Sequence, residues 1–109
     1  MTLLRRLLPM AALALPLLAA TAPAMAQDPS FRLNNRTGQT INEVYVSSSQ
    51  QRDWGRDLLG ANVLQNGQTL TIRIPAGQCL NDLKVTYASG QSLERLQINT
   101  CQLTDVNLN

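Results

Sequence analysis

Alternation of apolar and polar residues is the feature that most restricts the fold of this chain. Every second residue is apolar in 69–74 and again in 82–87, a pattern typical of strands with one buried face. The run 40–47 is rich in β-branched and aromatic residues. Shorter or less regular strand patterns occupy 31–34, 92–98 and 106–108. Turn residues such as Asn66-Gly67 separate the runs. The sequence therefore predicts an all-β fold, a small antiparallel β-sandwich of about six or seven short strands.

The first residues have the pattern of an export signal. Arg5 and Arg6 precede an apolar run, and Ala24-Met25-Ala26 supplies a small-x-small cleavage site. We predict a cleaved signal peptide over 1–26 and a single domain over 27–109. The alternative is a transmembrane anchor, since the apolar stretch approaches the ~20 residues of a span. General secretion fits the segment better than twin-arginine export, although the arginine pair leaves both routes open.

Removal of the leader changes the charge of the protein. The chain has 9 basic and 7 acidic residues, and Arg5 and Arg6 belong to the leader. The domain itself is therefore close to neutral. Binding to nucleic acid or to an anionic membrane through net charge is not expected, and no membrane span is expected once the signal is removed.

Cys79 and Cys101 are both in the exported part, where two cysteines of a small chain are expected to form a disulfide. The chain contains no histidine, which disfavours a metal site. Closing a loop of about 23 residues stabilises a fold by roughly 3.4 kcal/mol in the chain-entropy model. The predicted hairpin over 82–98 turns at 88–91 and brings the cysteines together at its base.

Two irregularities are expected within the strands. Ile41 is out of phase with Val44 and Val46, which indicates a β-bulge near Asn42-Glu43 or a strand covered on both faces. In the 82–98 hairpin Tyr87 is expected to face Leu93. Val85 can then face Leu96, and Leu83 can face Ile98, only if a second bulge lies near Glu94-Arg95.

The segment 52–60 interrupts the strand pattern and contains the only tryptophan of the chain, Trp54. Asp53 and Gly60 are residues suited to begin and end a short helical turn over 54–59. On such a turn Trp54 is expected to plug one end of the sandwich. The alternative is an exposed platform that stacks on a sugar or a peptide.

Asp53 and Asp57 form the one carboxylate pair considered for chemistry. At this spacing they would share a helical face, which permits acid–base catalysis or Ca²⁺ binding. Ion pairing with the flanking Arg52 and Arg56 is the preferred interpretation. The candidate binding or lid loop therefore consists of Arg52, Asp53, Trp54, Arg56 and Asp57.

Known catalytic patterns are missing from the sequence. Without histidine, a Ser-His-Asp or Cys-His site cannot form. Asn66-Gly67 is too short for a phosphate-binding loop and precedes a strand. We predict no catalytic residue, no metal site and no cofactor.

Two motifs carry a resemblance to known proteins. The opening Asn34-x-x-Thr37-Gly38-x-Thr40-Ile41 and the block Trp54-Gly55-x-Asp57-x-Leu59-Gly60, with two cysteines, resemble a group of small exported bacterial proteins of unknown function. That group has no established activity to transfer. The opening is also similar to that of thaumatin-like proteins, which implies a β-sandwich, but the many disulfides of that family are missing.

The expected function is that of a non-enzymatic binding or interaction module in the periplasm or outside the cell. Its partner is expected to be an envelope protein or a glycan. One alternative is a secreted protease inhibitor that presents residues 47–52, or a small enzyme using Asp53 and Asp57 as in glycoside hydrolysis. Another is an accessory subunit of an envelope assembly, held by edge-strand pairing.

Overall fold

The computed structural model describes residues 28–109, so the predicted signal peptide over 1–26 lies outside the described residues. The described range contains six strands and one 3-10 turn, in chain order β1 Phe31–Asn35, β2 Ile41–Ser48, β3 Thr69–Ile72, β4 Leu80–Tyr87, β5 Ser92–Asn99, the 3-10 turn Thr100–Gln102 and β6 Asp105–Leu108. Within 28–109, no helix has the length and hydropathy needed to cross a membrane.

The strands form two three-stranded sheets, with orders β3-β1-β6 and β2-β4-β5. The predicted all-β, sandwich-like fold is confirmed. All pairs are antiparallel except β1 and β6, which run parallel. β6 begins after the chain has crossed from β5 in the other sheet, so no hairpin fixes its direction.

The apolar faces of both sheets meet in one core. Strands of both sheets contribute alternate residues, and the segment between β2 and β3 adds two leucines. The buried apolar side chains are Phe31, Leu33, Ile41, Val44, Leu59, Leu64, Ile72, Leu83, Val85, Tyr87, Val106 and Leu108. Each fully buried aliphatic side chain contributes roughly 1.5–3 kcal/mol, so this cluster is the main source of stability.

The predicted bulge in β2 is confirmed. The pairing of β2 with β4 shifts by one residue between Ile41 and Glu43. Ile41 and Val44 are consequently both fully buried, and Val46 packs against the core. The extra residue restores a common inward direction on either side of the bulge.

The β4–β5 hairpin forms, but with a register that differs from the prediction. Val85 faces Leu93. The irregularity in the pairing lies at Gln97, whose φ is 57° and whose backbone N–H donates to the carboxylate of Asp82 at 2.9 Å. The predicted bulge at Glu94-Arg95 is therefore wrong.

The turn explains this register. The N–H of Gly90 donates to the carbonyl of Tyr87, and the N–H of Tyr87 donates to the carbonyl of Gln91, both at 2.8 Å. With Gly90 at a φ of 94°, this is a hairpin turn closed by a G1 bulge, which fixes the pairing that follows. Leu96, which was expected to face Val85, is 58% exposed.

The predicted disulfide between Cys79 and Cys101 is confirmed. It joins the segment before β4 to the 3-10 turn after β5. Two buried polar residues reinforce the same place, since Asn81 Nδ2 donates to Thr100 Oγ1 at 3.0 Å. The N–H of Thr100 also donates to the carbonyl of Cys79 at 2.8 Å. The base of the hairpin is thus held by covalent and hydrogen bonds together.

Asn35 organises the turns at the end of β1 and is itself fully buried. Its Nδ2 donates to the carbonyls of Gln39 at 2.8 Å and Leu64 at 2.9 Å. Its Oδ1 accepts from the backbone N–H of Thr37 at 3.1 Å and from the Thr37 hydroxyl at 2.6 Å. Every hydrogen-bonding position of this amide is filled, so a polar side chain is tolerated in the core.

Candidate functional site

The candidate loop leaves the end of β2 and returns along the outer edge of that strand. The N–H of Ser49 donates to the carbonyl of Leu80 at 3.0 Å where the loop begins. The N–H of Leu58 donates to the carbonyl of Val44 at 2.7 Å where it ends. Both ends of the loop are therefore attached to the β2-β4-β5 sheet.

Asp57 fixes the returning end of the loop. Its Oδ1 accepts from the backbone N–H of Val44 at 2.9 Å and from that of Leu59 at 3.0 Å. Together with the bond from Leu58, this satisfies both backbone groups of Val44 that point away from β4. The carboxylate of Asp57 and the N–H of Leu58 therefore occupy the hydrogen-bonding positions that a neighbouring strand would use at Val44.

The helical turn predicted over 54–59 is wrong. The segment is irregular, and the only 3-10 turn within residues 28–109 lies at Thr100–Gln102. Gly55 has a φ of 76°, which a right-handed helix does not accommodate. The backbone N–H of Leu58 bonds to β2 and not to the preceding turn. Contacts with the sheet have overridden the local preference for a helix.

The ion pairs predicted inside the loop do not form. Over residues 28–109, the only salt bridge joins Arg32 and Asp105. Arg52, Asp53 and Arg56 are exposed. Asp57, the fourth charged residue of the loop, accepts a hydrogen bond from the backbone of β2 and forms no salt bridge with the neighbouring arginines.

Trp54 is partly exposed and lies outside the group of side chains that pack on the core. Leu59 is buried and Leu58 packs against the core, so these two residues close this side of the sandwich. The interpretation of Trp54 as the plug is therefore wrong. The indole ring retains surface that can contact another molecule.

Tyr45 lies on the outer face of β2, beside the returning loop. Partial burial raises the pKa of Tyr45, and the nearby carboxylates of Glu43 and Asp57 raise it further, Glu43 also through a hydrogen bond. The phenol therefore stays protonated at neutral pH. This side of the molecule consequently offers a second aromatic group with a hydroxyl.

The two loop carboxylates are not arranged for chemistry. Asp53 is exposed, whereas Asp57 is bound to backbone N–H groups. The shared helical face that acid–base catalysis or Ca²⁺ binding required is absent because the helix itself is absent. In the part of the chain that the structure describes, no three His, Cys, Asp or Glu side chains are close enough to hold a metal ion.

A second polar cluster covers the outer face of the β3-β1-β6 sheet and was not predicted. Arg32 donates to both carboxylate oxygens of Asp105, at 2.9 and 2.8 Å. Asn34 Nδ2 donates to Asp105 at 3.0 Å and to Asn107 at 2.8 Å. The hydroxyl of Thr69 donates to Asn34 Oδ1 at 2.6 Å. The network thus crosses all three strands.

The cluster satisfies its own members. Hydrogen bonds from Arg32 and Asn34 lower the pKa of Asp105, and the same contact raises the pKa of Arg32. The outward alternation of these residues is visible in the sequence. Their meeting depends on pairing the first strand with the last, which no local pattern indicates. The cluster therefore serves cohesion of the sheet, and the loop remains the better candidate site.

Comparisons with protein-family models, with curated proteins and with solved structures each returned no match for this chain. The resemblance to small exported bacterial proteins, carried by the Asn34 opening and the Trp54 block, stays a prediction.

Proposed function

We propose that residues 27–109 form an exported, non-enzymatic recognition module that binds its partner through the loop Arg52 to Asp57. One observation carries this proposal. Trp54 is partly exposed on a loop whose returning end is fixed to β2 by Asp57. A large ring is thus held at the surface while smaller neighbours fill the core.

The chemistry of the loop suits recognition. Tryptophan and arginine are enriched among residues that contribute most to binding energy in interfaces. Arg52 and Arg56 are exposed and unpaired by the loop carboxylates, so their guanidinium groups can donate to carboxylate or carbonyl oxygens of a partner. Attachment of both loop ends lowers the conformational entropy lost on binding.

The partner class follows from the same groups. Arginines beside a partly exposed indole fit a surface with carboxylates and apolar area. We place an envelope protein first and a glycan second. A glycan would stack a sugar ring on Trp54 and place its hydroxyl or carboxylate groups against the arginines.

A non-enzymatic role is supported by the residues available. The chain contains no histidine, and its single lysine, Lys84, lies on β4 between inward-facing Leu83 and Val85. Of the one carboxylate pair considered for catalysis, Asp53 is exposed to solvent and Asp57 is bound to the backbone of β2. No nucleophile with an adjacent base follows from these groups.

Capture from an envelope extract tests the loop. Wild type should retain a partner that Trp54→Ala loses by at least tenfold. Leu96→Ala is the matched control, since Leu96 is an exposed apolar residue on β5, outside the loop. Purified envelope polysaccharide, added as a competitor, distinguishes the glycan from the protein. Identical retention by wild type and Trp54→Ala would remove the loop from the proposal.

We also propose export to the periplasm or the extracellular space, directed by residues 1–26. The disulfide and the absence of a membrane-crossing helix within 28–109 are compatible with an exported protein. The arginine pair, the apolar run and the cleavage site in residues 1–26 have the pattern of a secretory signal. Intact-mass measurement of the protein recovered from its compartment should give a chain beginning at Gln27. Recovery of a chain that retains Met1 to Ala26 would contradict export by cleavage.

A further inference from the structure

The four outer strand edges of the two sheets are protected to different degrees. β2 and β5 are the edges of one sheet, and β3 and β6 are the edges of the other. The edge of β2 is covered at Ile41 and Val44, because Val44 bonds to the returning loop and Ile41 exchanges two 2.9 Å hydrogen bonds with Leu64. Charged or irregular edges also resist pairing. β5 has the charged residues Glu94 and Arg95 and the irregularity at Gln97, and β6 begins with Asp105, which is paired with Arg32.

β3 lacks these devices. Its sequence, Thr69–Ile72, contains no charge and no proline. It follows a G1 bulge in which the N–H of Gly67 donates to the carbonyl of Asn35 at 2.6 Å. The N–H of Asn35 donates to the carbonyl of Gln68 at 3.0 Å, so these two residues form a hydrogen-bonded pair of the ladder.

The direction of the backbone groups of β3 follows from that pair. Hydrogen-bonded pairs alternate with non-hydrogen-bonded pairs in an antiparallel ladder. Leu33 and Leu70 are therefore the next hydrogen-bonded pair, and the N–H and C=O groups of Thr69 and Thr71 point away from β1. Within residues 28–109, no backbone group outside the ladder bonds to either threonine.

A groove without charged residues runs beside this open edge. It has a volume of about 450 Å³ and lies between β3 and the segment 58–64. Its lining is mixed: Asn62, Gln68 and Thr69 supply polar surface, and Leu58, Leu59, Val63, Leu64 and Leu70 are its apolar residues. Val63 is 45% exposed there, an apolar side chain left open to solvent.

We propose that β3 and this groove accept an extended, uncharged segment of another protein, in which apolar and polar residues alternate, as an additional strand. The backbone of the segment pairs with the open groups of Thr69 and Thr71, and every second side chain enters the groove beside Leu70. A charged segment is excluded because the groove offers no counter-charge and burial of an unpaired charge is costly. The groove adjoins the Trp54 loop at Leu58, where the loop ends, but its proposed role does not depend on that of the loop.

The probe is an acetylated and amidated peptide of about six residues in which valine alternates with threonine, a usual strand length. Titration into the mature protein should shift the amide resonances of Thr69 and Thr71 and slow their hydrogen exchange. In one twin every threonine amide is N-methylated, and in the other every valine amide. Only one of these amide sets faces β3, so one twin should bind at least tenfold more weakly and the other like the parent peptide.

Val63→Asp should also weaken binding at least tenfold, with a melting temperature near that of wild type because Val63 is a surface residue. Leu96→Asp is the matched control, since Leu96 is also an exposed apolar residue but lies outside the groove. No binding at millimolar peptide, equal binding by both methylated twins, or an unchanged affinity of Val63→Asp would overturn the proposal. Self-association of the protein that Val63→Asp abolishes would overturn the occupant and assign the groove to a second copy of the chain.

Discussion

Single polar side chains hold the irregular segments of this protein in place. Asn35 joins two turns from inside the core, and Asp57 attaches the candidate loop to β2. Asp105 links the last strand to the first through Arg32 and Asn34. In each case the side chain bonds to groups distant in sequence, so its role follows from tertiary structure.

Replacement of Asn35 is expected to be costly. Asn35→Ala removes four hydrogen bonds and leaves the carbonyl of Leu64 with one donor, the N–H of Ile41, where it had two. We expect the free energy of unfolding to fall by at least about 2 kcal/mol, measured by urea denaturation. Asn42→Ala, at an exposed position of β2, should change it by less than about 0.5 kcal/mol. Similar losses in both variants would contradict the role of Asn35.

The lowered pKa of Asp105 predicts a pH dependence. A carboxyl whose pKa is lower in the folded state stabilises the fold above its unfolded pKa of about 3.9, and this contribution is lost as the pH falls through the folded pKa. Asp105→Asn should therefore lower the urea midpoint at neutral pH, and the difference from wild type should shrink below about pH 4. In an Arg32→Gln background most of this pH dependence should disappear. A difference that stays constant down to acidic pH would exclude the ion pair as its cause.

At the level of secondary structure, the features that depend on the local alternation of side chains could be predicted from the sequence. The inward faces of β4, Leu83, Val85 and Tyr87, follow directly from their alternation. The β2 bulge was readable because one residue out of phase leaves a parity error in the sequence. The alternation of side chains along a strand is a local property, so the sequence indicates it without knowledge of distant contacts.

Features that depend on backbone geometry or on contacts with distant residues could not be predicted from the sequence. The hairpin register follows from the positive φ of Gly90 within a specific turn, which moved Leu96 into solvent. The loop helix failed because Asp57 bonds to Val44, a contact between segments. For the same reason a partly exposed Trp54 could not be distinguished from a buried plug by sequence alone.

The loop offers an element-level test with a matched control. Asp57→Ala removes the acceptor for the N–H groups of Val44 and Leu59, and should lower the free energy of unfolding by about 1–3 kcal/mol. Amide hydrogen exchange at these two positions should become faster. Asp53→Ala, in the same loop but exposed, should leave both observables near wild type. Slow exchange retained at Val44 in Asp57→Ala would show that the loop is held by other contacts.

For the whole molecule, one small core is supplemented by one covalent link. The Cys79–Cys101 disulfide closes a loop with a sequence separation of 22. The double variant Cys79→Ser, Cys101→Ser should lose about 3.4 kcal/mol of unfolding free energy in the chain-entropy model. The Asn81–Thr100 hydrogen bond should preserve the hairpin, seen as an unchanged far-UV circular dichroism spectrum. An unchanged urea midpoint would contradict a stabilising role for the disulfide.

The scaffold carries two candidate binding surfaces, the Trp54 loop beside β2 and the open edge of β3, which meet near Leu58. The loop is the central claim, and photo-crosslinking tests it most directly. A photoreactive amino acid at position 53, which is exposed and adjacent to Trp54, should form a specific adduct with a partner in the envelope of the source organism. The same group at position 96 on β5 should not form that adduct. Identical adducts from both positions, or none from position 53, would contradict recognition by the loop.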